Sequence, residues 1–333
     1  MLIGSLSLGI GHENGLGERR GLSSMEQATI FKSLLTMAAV IGAGWLGRRS
    51  KILSVENTEV LSKFVYYFGL PALFFIKIAR LNLSDIPGAV ILGSLGPIGA
   101  LLLLLGLCRA LKILSRDIFI MLGISVAFGS NAFFGIPFFE ALYGEWGLDL
   151  AVVTAALLGV FGIVASLSFF EYATRQGRET AFLVRVLRSP LILSILAGSI
   201  CSVGSIRSDF LFDALTILGQ TAPGVAVFML GMFIHDHFSF ALLKKSARYS
   251  AFRLLALPLA TAVVVFFLPT SDASLKEFLF LQSGIPAAIS IAVFAQRYKY
   301  MMPELTGVVV ATSLMSFPAL TLLYFLVHNG FLS

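Results

Sequence analysis

The chain has 333 residues, of which 57% are hydrophobic and 13% are charged, and its mean hydropathy is +0.92. Soluble domains carry about 25% charged residues, so this composition excludes an ordinary soluble protein and indicates an integral membrane protein. The formal net charge of +6 does not indicate a nucleic-acid partner, because the basic residues form no dense patch and lie between apolar segments.

The sequence divides into a polar N-terminal stretch, two apolar halves and one basic linker. Residues 1–24 are Gly-rich and polar, and we expect them to be a disordered extension or a misassigned start. Ten apolar windows follow, and about 20 residues suffice to cross a bilayer core of about 30 Å. Residues 25–172 would form the first five helices and residues 190–333 the second five, with a cytoplasmic linker at 173–189.

Basic residues alternate between the two sides of the predicted membrane. The connections after helices one, three, five, seven and nine hold 16 Lys and Arg residues, whereas the opposite side holds 6. The connection after helix seven contributes Lys244, Lys245, Arg248 and Arg253 to the larger set. Because positive charge marks the cytoplasmic side, we expect a multi-pass protein of the inner (plasma) membrane with both termini outside.

Two of the apolar windows are interrupted near their centres. The first break is Gly129-Ser130-Asn131-Ala132-Phe133-Phe134-Gly135-Ile136-Pro137 in helix four, and the second is Gln282-Ser283-Gly284-Ile285-Pro286 in helix nine. In a helix interior Gly costs about 1 kcal/mol and Pro about 3 kcal/mol relative to Ala. A bilayer tolerates the unpaired backbone groups of such breaks only where they are buried in protein or line a watery cavity.

Similar proline positions in the two halves indicate an internal repeat of about 150 residues. Pro137 and Pro286 are 149 residues apart, and Pro71 and Pro223 are 152 apart. Because five crossings separate equivalent helices, the repeats would enter the membrane from opposite sides, as in many secondary transporters. The predicted fold class is therefore an all-α integral membrane protein of ten transmembrane helices, with two inverted five-helix repeats and broken crossover helices four and nine.

The breaks also predict the chemistry of a site. Proline is favoured in the first turn of a helix, so the second half-helices would begin near Pro137 and Pro286 and point their N-termini at one place. Each N-terminus carries about half a positive charge and free N–H donors, which suits an anion. The amides of Asn131 and Gln282 would bond either a ligand or the freed backbone. A kink that serves only packing is the alternative for each break taken alone.

The candidate substrate-binding residues follow from these breaks and from the proline of helix seven, although a packing role is favoured for Pro223 itself. They are Ser130, Asn131, Gly135, Pro137, Gln220, Thr221, Gln282, Ser283 and Pro286. The sequence holds no HExxH, GxSxG or P-loop motif and no Cys/His cluster with ligand spacing, so we predict no enzyme, metal or cofactor. Small-residue runs such as Gly42-Ala43-Gly44 would allow close helix contact.

Motifs in helices two, four, seven and nine carry a family resemblance. They are Leu70-Pro71-Ala72-Leu73-Phe74, then Asn131 with Phe134-Gly135-Ile136-Pro137 and Ala141-Leu142-Tyr143-Gly144, then Ala222-Pro223, and finally Pro286-Ala287. With these motifs residues 25–327 resemble the auxin efflux carrier family. Gln282-Ser283-Gly284 departs from that pattern, which has smaller and more apolar residues before the helix-nine proline.

The resemblance implies a carrier in which helices one, two, six and seven form a scaffold that dimerises. Helices three to five and eight to ten would form a mobile transport unit around the crossing of the broken helices. It also implies organic anions as substrates, namely auxins in plants and malate-like carboxylates in bacteria, and the short linker resembles the bacterial form. The expected partners are thus a small organic anion, the lipid bilayer and a second copy of the chain. A sodium-coupled bile-acid-type symporter and a non-transporting membrane sensor are the alternatives.

Overall fold

The computed structural model describes the backbone of residues 17–80, 87–174, 190–204, 206 and 208–331, and side chains from residue 31 onward except 296 and 297. Every regular element in this part of the chain is helical. The helices are α1 Gly17–Arg49, α2 Val55–Phe64, α3 Leu70–Arg80, α4 Gly88–Ala110, α5 Arg116–Ala127, α6 Ile136–Thr174, α7 Pro190–Val203, α8 Asp209–His237, α9 Phe240–Phe266, α10 Ala273–Gln282, α11 Ile289–Tyr298 and α12 Met302–His328. Two π-helical turns, Val65–Gly69 and Asn131–Gly135, precede α3 and α6.

The ends of the predicted domains are described only in part. Residues 1–16 and most of the predicted linker, residues 175–189, lie outside the described residues. Helix α1 already begins at Gly17, so residues 17–24 are helical and differ from the disordered extension that their composition indicated.

Six helical stretches in the described part of the chain are long and apolar enough to cross a membrane. They are Val55–Arg80, Gly88–Ala110, Asn131–Thr174, Asp209–His237, Phe240–Phe266 and Met302–His328. The predicted broken helices fall into short pieces, since α5 has 12 residues and α10 and α11 have 10 each. The helical class and the membrane character are therefore confirmed, whereas the count of ten crossings stays a prediction.

Helix α6 contains the second half of predicted helix four and the whole of predicted helix five. The two parts meet at Gly144, which has φ 66° and ψ −145° in the middle of the helix. A residue with a Cβ is strained at such a positive φ, so glycine permits the change of direction here.

The helices pack in two groups. The scaffold group consists of α1, α2, α3, α7 and α8, in which α8 lies against α1 and α3, and α3 lies against α7. The crossing group consists of α4, α5, α6 and α9 to α12, in which α9 lies against α4, α5 and α12. Contacts of α6 with α1, α3 and α8 join the two groups. This division coincides with the scaffold and transport units that the family resemblance implies.

Two glycines allow α1 and α8 to approach closely. A Cβ on Gly44 would overlap the carbonyl oxygen of Phe228, and a Cβ on Gly231 would overlap the carbonyl oxygen of Ile41. The expected role of the small-residue run is thus confirmed for Gly44. Gly42, in contrast, has no atom within 4 Å of its Cβ position.

We expect Gly44→Ala to destabilise the scaffold group by about 1–3 kcal/mol, the usual cost of adding a methyl group to a tightly packed contact. The measurement is the thermal unfolding of purified protein in detergent. Gly42→Ala is the matched control in the same helix and should unfold at the wild-type temperature. Equal unfolding temperatures for both variants and wild type would contradict the close contact.

Candidate functional site

The two helix breaks lie directly against each other. Gly129 and Ala287 form an isolated antiparallel bridge between the two segments. The backbone N–H of Ser130 donates to the carbonyl oxygen of Pro286 at 2.8 Å, and the N–H of Ala288 donates to the carbonyl oxygen of Phe128 at 3.0 Å. The backbone groups released by each break are therefore paired by the other break, which is what a membrane interior demands.

The crossing has local two-fold symmetry. The two bonds interchange when Ser130 is swapped with Ala288 and Phe128 with Pro286, and the members of each pair are 158 residues apart. The helical segments after the breaks, which begin at Asn131 and Ile289, are also 158 residues apart. The two breaks therefore meet through matching backbone bonds, whereas the predicted repeat of about 150 residues stays a prediction.

The two prolines lie at different distances from the starts of the second half-helices. Pro137 follows a π-helical turn that starts at Asn131, where the N–H groups of Phe134 and Gly135 both donate to the carbonyl oxygen of Ser130. Pro286 lies three residues before the start of α11. The second half-helices thus begin near the prolines, with Pro137 in the first turn of α6 and Pro286 just before α11.

A buried arginine from a third element holds the crossing together. Arg253 of α9 is 2% exposed, and its Nη1 donates to the carbonyl oxygens of Ser125 and, at 3.2 Å, Val126. Its Nη2 donates to the carbonyl oxygens of Ile285 at 2.9 Å and Pro286 at 3.3 Å. One guanidinium therefore bonds four carbonyl oxygens, two from each broken helix.

The Arg253 guanidinium lies at the negative ends of the half-helix dipoles. Ser125 and Val126 lie in the last turn of α5, and Ile285 and Pro286 follow the C-terminus of α10. The C-terminal ends of helices carry partial negative charge and the N-terminal ends partial positive charge. Arg253 thus neutralises the two C-terminal ends, while the N-terminal ends that start at Asn131 and Ile289 receive no fixed carboxylate among the described buried residues.

Sequence reasoning placed Arg253 wrongly, in the cytoplasmic connection after helix seven. It follows Lys244, Lys245 and Arg248 closely in the chain, which made it one of a basic cluster. Arg248 is exposed in the N-terminal third of α9, whereas Arg253, five residues later, is buried. The available signal was that Arg253 already lies inside the apolar run of the next helix, where a charge is functional by default.

The polar side chains of the first break have unused hydrogen-bonding capacity. Ser130 and Asn131 are both buried. The Ser130 hydroxyl has no partner among the described residues, and the Asn131 Nδ2 makes one long bond of 3.3 Å to the carbonyl oxygen of Gly129. Both side chains are therefore available to a ligand at the start of the second half-helix.

The polar side chains of the second break are bonded to the protein. The Gln282 Oε1 accepts from the Ser94 hydroxyl at 3.2 Å, and its Nε2 donates to the Thr154 hydroxyl at 2.7 Å. The Ser283 hydroxyl donates to the carbonyl oxygen of Phe280 at 2.5 Å. Of the two roles considered for the Gln282 amide, the structure shows the one in which it bonds protein groups, joining α4, α6 and α10.

The remaining candidate residues divide between the crossing and a different place. Gly135 packs at the crossing, where a Cβ would lie 2.9 Å from the Ile285 Cδ1. Pro137 is half-buried just beyond it. Gln220 and Thr221 are exposed on α8 in the scaffold group, and neither lines the cavity at the crossing. The structure therefore does not bring these two residues together with Asn131.

Two cavities lie near these residues. The crossing cavity has a volume of about 20 Å³ and is lined by residues that include Asn131, Arg253 and Gln282. A volume of 10–15 Å³ is about the least that holds one water molecule, so this cavity has room for about one. The interface cavity has a volume of about 350 Å³ and lies between α3, α6 and α8, with Gln220 and Pro223 in its wall. Ligand pockets start at about this size.

Charged groups surround the interface cavity. The Lys77 Nζ on α3 lies 2.9 Å from the Glu145 Oε2 and 2.9 Å from the Asp149 Oδ1, both on α6. The Arg80 guanidinium donates to the Thr216 hydroxyl at 3.4 Å. The Lys77 pairs therefore connect the scaffold group to the crossing group beside this cavity.

The far ends of the broken helices are tied to each other by matching bonds. The Tyr143 hydroxyl after the first break donates to the Glu277 carboxylate at 2.6 Å, and the Tyr300 hydroxyl after the second donates to the Asp117 carboxylate at 2.8 Å. Burial and the bond to Asp117 raise the pKa of Tyr300, so this hydroxyl stays protonated and remains a donor. The two broken helices are thus joined at the crossing and at both ends.

We expect Gly129→Ala to disrupt the crossing, because its Cβ would lie 2.9 Å from both the Arg253 Nη2 and the Asn131 Nδ2. The cost should be about 1–3 kcal/mol, as for other overpacked sites, and it is measured as a lower unfolding temperature of the purified protein. Gly159→Ala in α6 is the control, since no atom lies within 4 Å of that Cβ position. A wild-type unfolding temperature for Gly129→Ala would show that the crossing is not packed as described.

Comparison with known proteins agrees with this architecture. The family model described as membrane transport protein matches residues 29–324. The lysosomal cholesterol signaling protein of Mus musculus is 25% identical over 334 residues, an alignment that covers 89% of this chain and 37% of that protein. The chain therefore spans little more than a third of the length of this relative.

The family match extends from α1 to α12 and includes both breaks. It also includes the helix-two, helix-four, helix-seven and helix-nine motifs that carried the resemblance. The protein therefore belongs to the auxin efflux carrier family of membrane transport proteins.

Proposed function

We propose that this protein is a secondary carrier that moves small organic anions, auxin-like monocarboxylates or malate-like dicarboxylates, by alternating access around the crossing of its broken helices. The observation that supports this proposal most strongly is the charge at the crossing. Arg253 is the one formally charged residue among the described buried residues, and its hydrogen-bond partners are neutral carbonyl oxygens.

A buried cation that has no carboxylate partner favours an anionic guest. Charges interact far more strongly in the low-dielectric interior than in water, and buried charges in proteins are normally paired. A carboxylate bound at the crossing would provide a formal negative charge, which the neutral carbonyl partners of Arg253 lack. The N-terminal ends at Asn131 and Ile289 add a partial positive charge of the same sign.

Ser130 and Asn131 are the side chains that we propose to bind the substrate. They lie at the N-terminus of the second half-helix, whose first N–H groups have no partner within the helix. Their hydroxyl and amide groups are the least satisfied polar groups of the two breaks. Gln282 would act indirectly, by holding α4, α6 and α10 in position around the site.

Substrate binding requires a change of conformation. The crossing cavity of about 20 Å³ accommodates one water molecule rather than an organic anion. The interface cavity of about 350 Å³ has room for a small organic molecule but shares no lining residue with the crossing cavity. We propose that the crossing group moves against the scaffold group, with the Lys77 ion pairs breaking and forming in each cycle.

The proposed architecture has ten transmembrane helices in two inverted repeats. The symmetric backbone bonds at the crossing support it, as do the reciprocal bonds of Tyr143 and Tyr300. A homodimer formed through the scaffold group is part of the same proposal, as is a location in the plasma membrane with both termini outside.

The test is uptake of malate and of indole-3-acetate into proteoliposomes. Asn131→Ala should reduce transport by about tenfold or more, since one lost charge-assisted contact costs 1.4 kcal/mol or more and 1.4 kcal/mol is a factor of ten. Thr221→Ala removes a hydroxyl from an exposed position away from the crossing and should transport as wild type does. Purified yield and unfolding temperature serve to show that both variants fold.

Two results would contradict the proposal. Unchanged transport by Asn131→Ala would remove the crossing as the substrate site, and transport of neutral analogues at the same rate would remove the anion as the substrate.

One observation favours a second candidate, a ligand-sensing membrane protein. The relative that this chain matches is named for cholesterol signaling, and the chain spans only 37% of it. A sensor would bind its ligand, seen as a higher unfolding temperature, without any flux in the same proteoliposomes. Flux that depends on Asn131 distinguishes the carrier from the sensor.

A further inference from the structure

We propose that Arg253 is a built-in replacement for a coupling sodium ion, and that the carbonyl oxygens it binds form a latent cation site. The inference rests on the proposed function only in taking the crossing as the centre of transport. Its consequence is that this carrier works without sodium, which sets it apart from the sodium-coupled symporter considered above.

The geometry of the site carries the inference. In carriers with broken helices, unwound carbonyl groups and half-helix C-terminal ends coordinate the coupling Na⁺. Here the equivalent groups are the carbonyl oxygens of Ser125 and Val126 at the end of α5 and those of Ile285 and Pro286 in the second break. All four accept from one guanidinium, so the place of a sodium ion is occupied by a side chain.

An arginine side chain keeps a positive charge at this site without any ion from solution. The guanidinium is charged at neutral pH, and its planar fork presents donors to several acceptors at once. Arg253 is 2% exposed and reaches the crossing from α9, a helix that itself contains no break. A sodium ion entering the same place would meet a fixed like charge and no free carbonyl oxygen.

The carbonyl oxygens would be costly to leave unpaired. Burying a polar group without a hydrogen bond is unfavourable by a few kcal/mol, and four such groups converge here. Removal of the Arg253 side chain should therefore leave a site at which binding of another cation is favourable. A small cation from solution, either Na⁺ or guanidinium, has the charge needed to bind these carbonyl oxygens.

The first experiment uses the wild-type protein in two salts. Its unfolding temperature in detergent should be the same in sodium chloride and in choline chloride of equal concentration. Uptake of malate should differ by less than about twofold between the two salts, because a coupled ion typically changes affinity by about 5- to 150-fold. A several-fold stimulation by sodium, or a sodium-dependent rise in unfolding temperature, would overturn the proposal.

The second experiment uses Arg253→Ala. Its unfolding temperature should be lower than that of wild type in choline chloride and should rise when sodium chloride, or a few millimolar guanidinium chloride, is added. Lys245→Ala is the matched control, because it removes an exposed cation from the same helix. This control should show neither the loss nor the rescue.

A conservative variant covers the case in which Arg253→Ala does not fold. Arg253→Lys retains a cation at the crossing and should show no sodium response, although it loses bonds to some of the four carbonyl oxygens. Sodium-dependent stabilisation of Arg253→Lys would contradict the proposal, as would a folded Arg253→Ala that neither cation stabilises. These unfolding measurements need no transported substrate, so they remain decisive even if the anion-carrier proposal fails.

Discussion

The structure depends on one constraint, which is that the backbone groups of a broken helix need partners inside the membrane. Water cannot provide them in a bilayer core, and each unpaired group costs several kcal/mol. The protein meets this constraint by crossing one break over the other, so that Ser130 and Pro286 pair, as do Ala288 and Phe128. Arg253 and the Thr312 hydroxyl, which accepts from the N–H of Ala287, satisfy further groups. The break in one helix therefore requires the break in the other.

This arrangement separates the two ends of the half-helix dipoles. The C-terminal ends of α5 and α10 share the Arg253 guanidinium, whereas the N-terminal ends at Asn131 and Ile289 are left with a net positive potential. The two breaks also differ in their side chains. Gln282 is bonded within the protein, while Ser130 and Asn131 retain unused donors and acceptors. Matching backbone bonds thus join two breaks whose side chains differ, with unused polar groups at the first break and protein-bonded ones at the second.

The two helix groups meet at a boundary that contains the larger cavity. The crossing group contains every residue of the crossing cavity, and the scaffold group is held together by the close contact of Gly44 and Gly231 with the opposite helix. The larger interface cavity lies between the groups, beside the Lys77 ion pairs. Partly exposed ion pairs of this kind contribute little stability, commonly about 0–1 kcal/mol. The ion pairs at this boundary therefore add little to the packing that holds the two groups together.

The sequence by itself determined the membrane character, the helical class, the place of both breaks and the family, because these depend on composition and on residues such as Pro137 and Pro286 that disfavour an unbroken helix locally. Tertiary structure alone decided which residues meet. Arg253 looked like one of several cytoplasmic charges until the packing of α9 placed it between the breaks, and Gln220 and Thr221 proved to lie away from them. The backbone bonds that join the two breaks likewise appeared only in the folded structure. The reason is physical, since helix propensity acts over a few neighbouring residues, whereas pairing across a crossing depends on how separate helices pack.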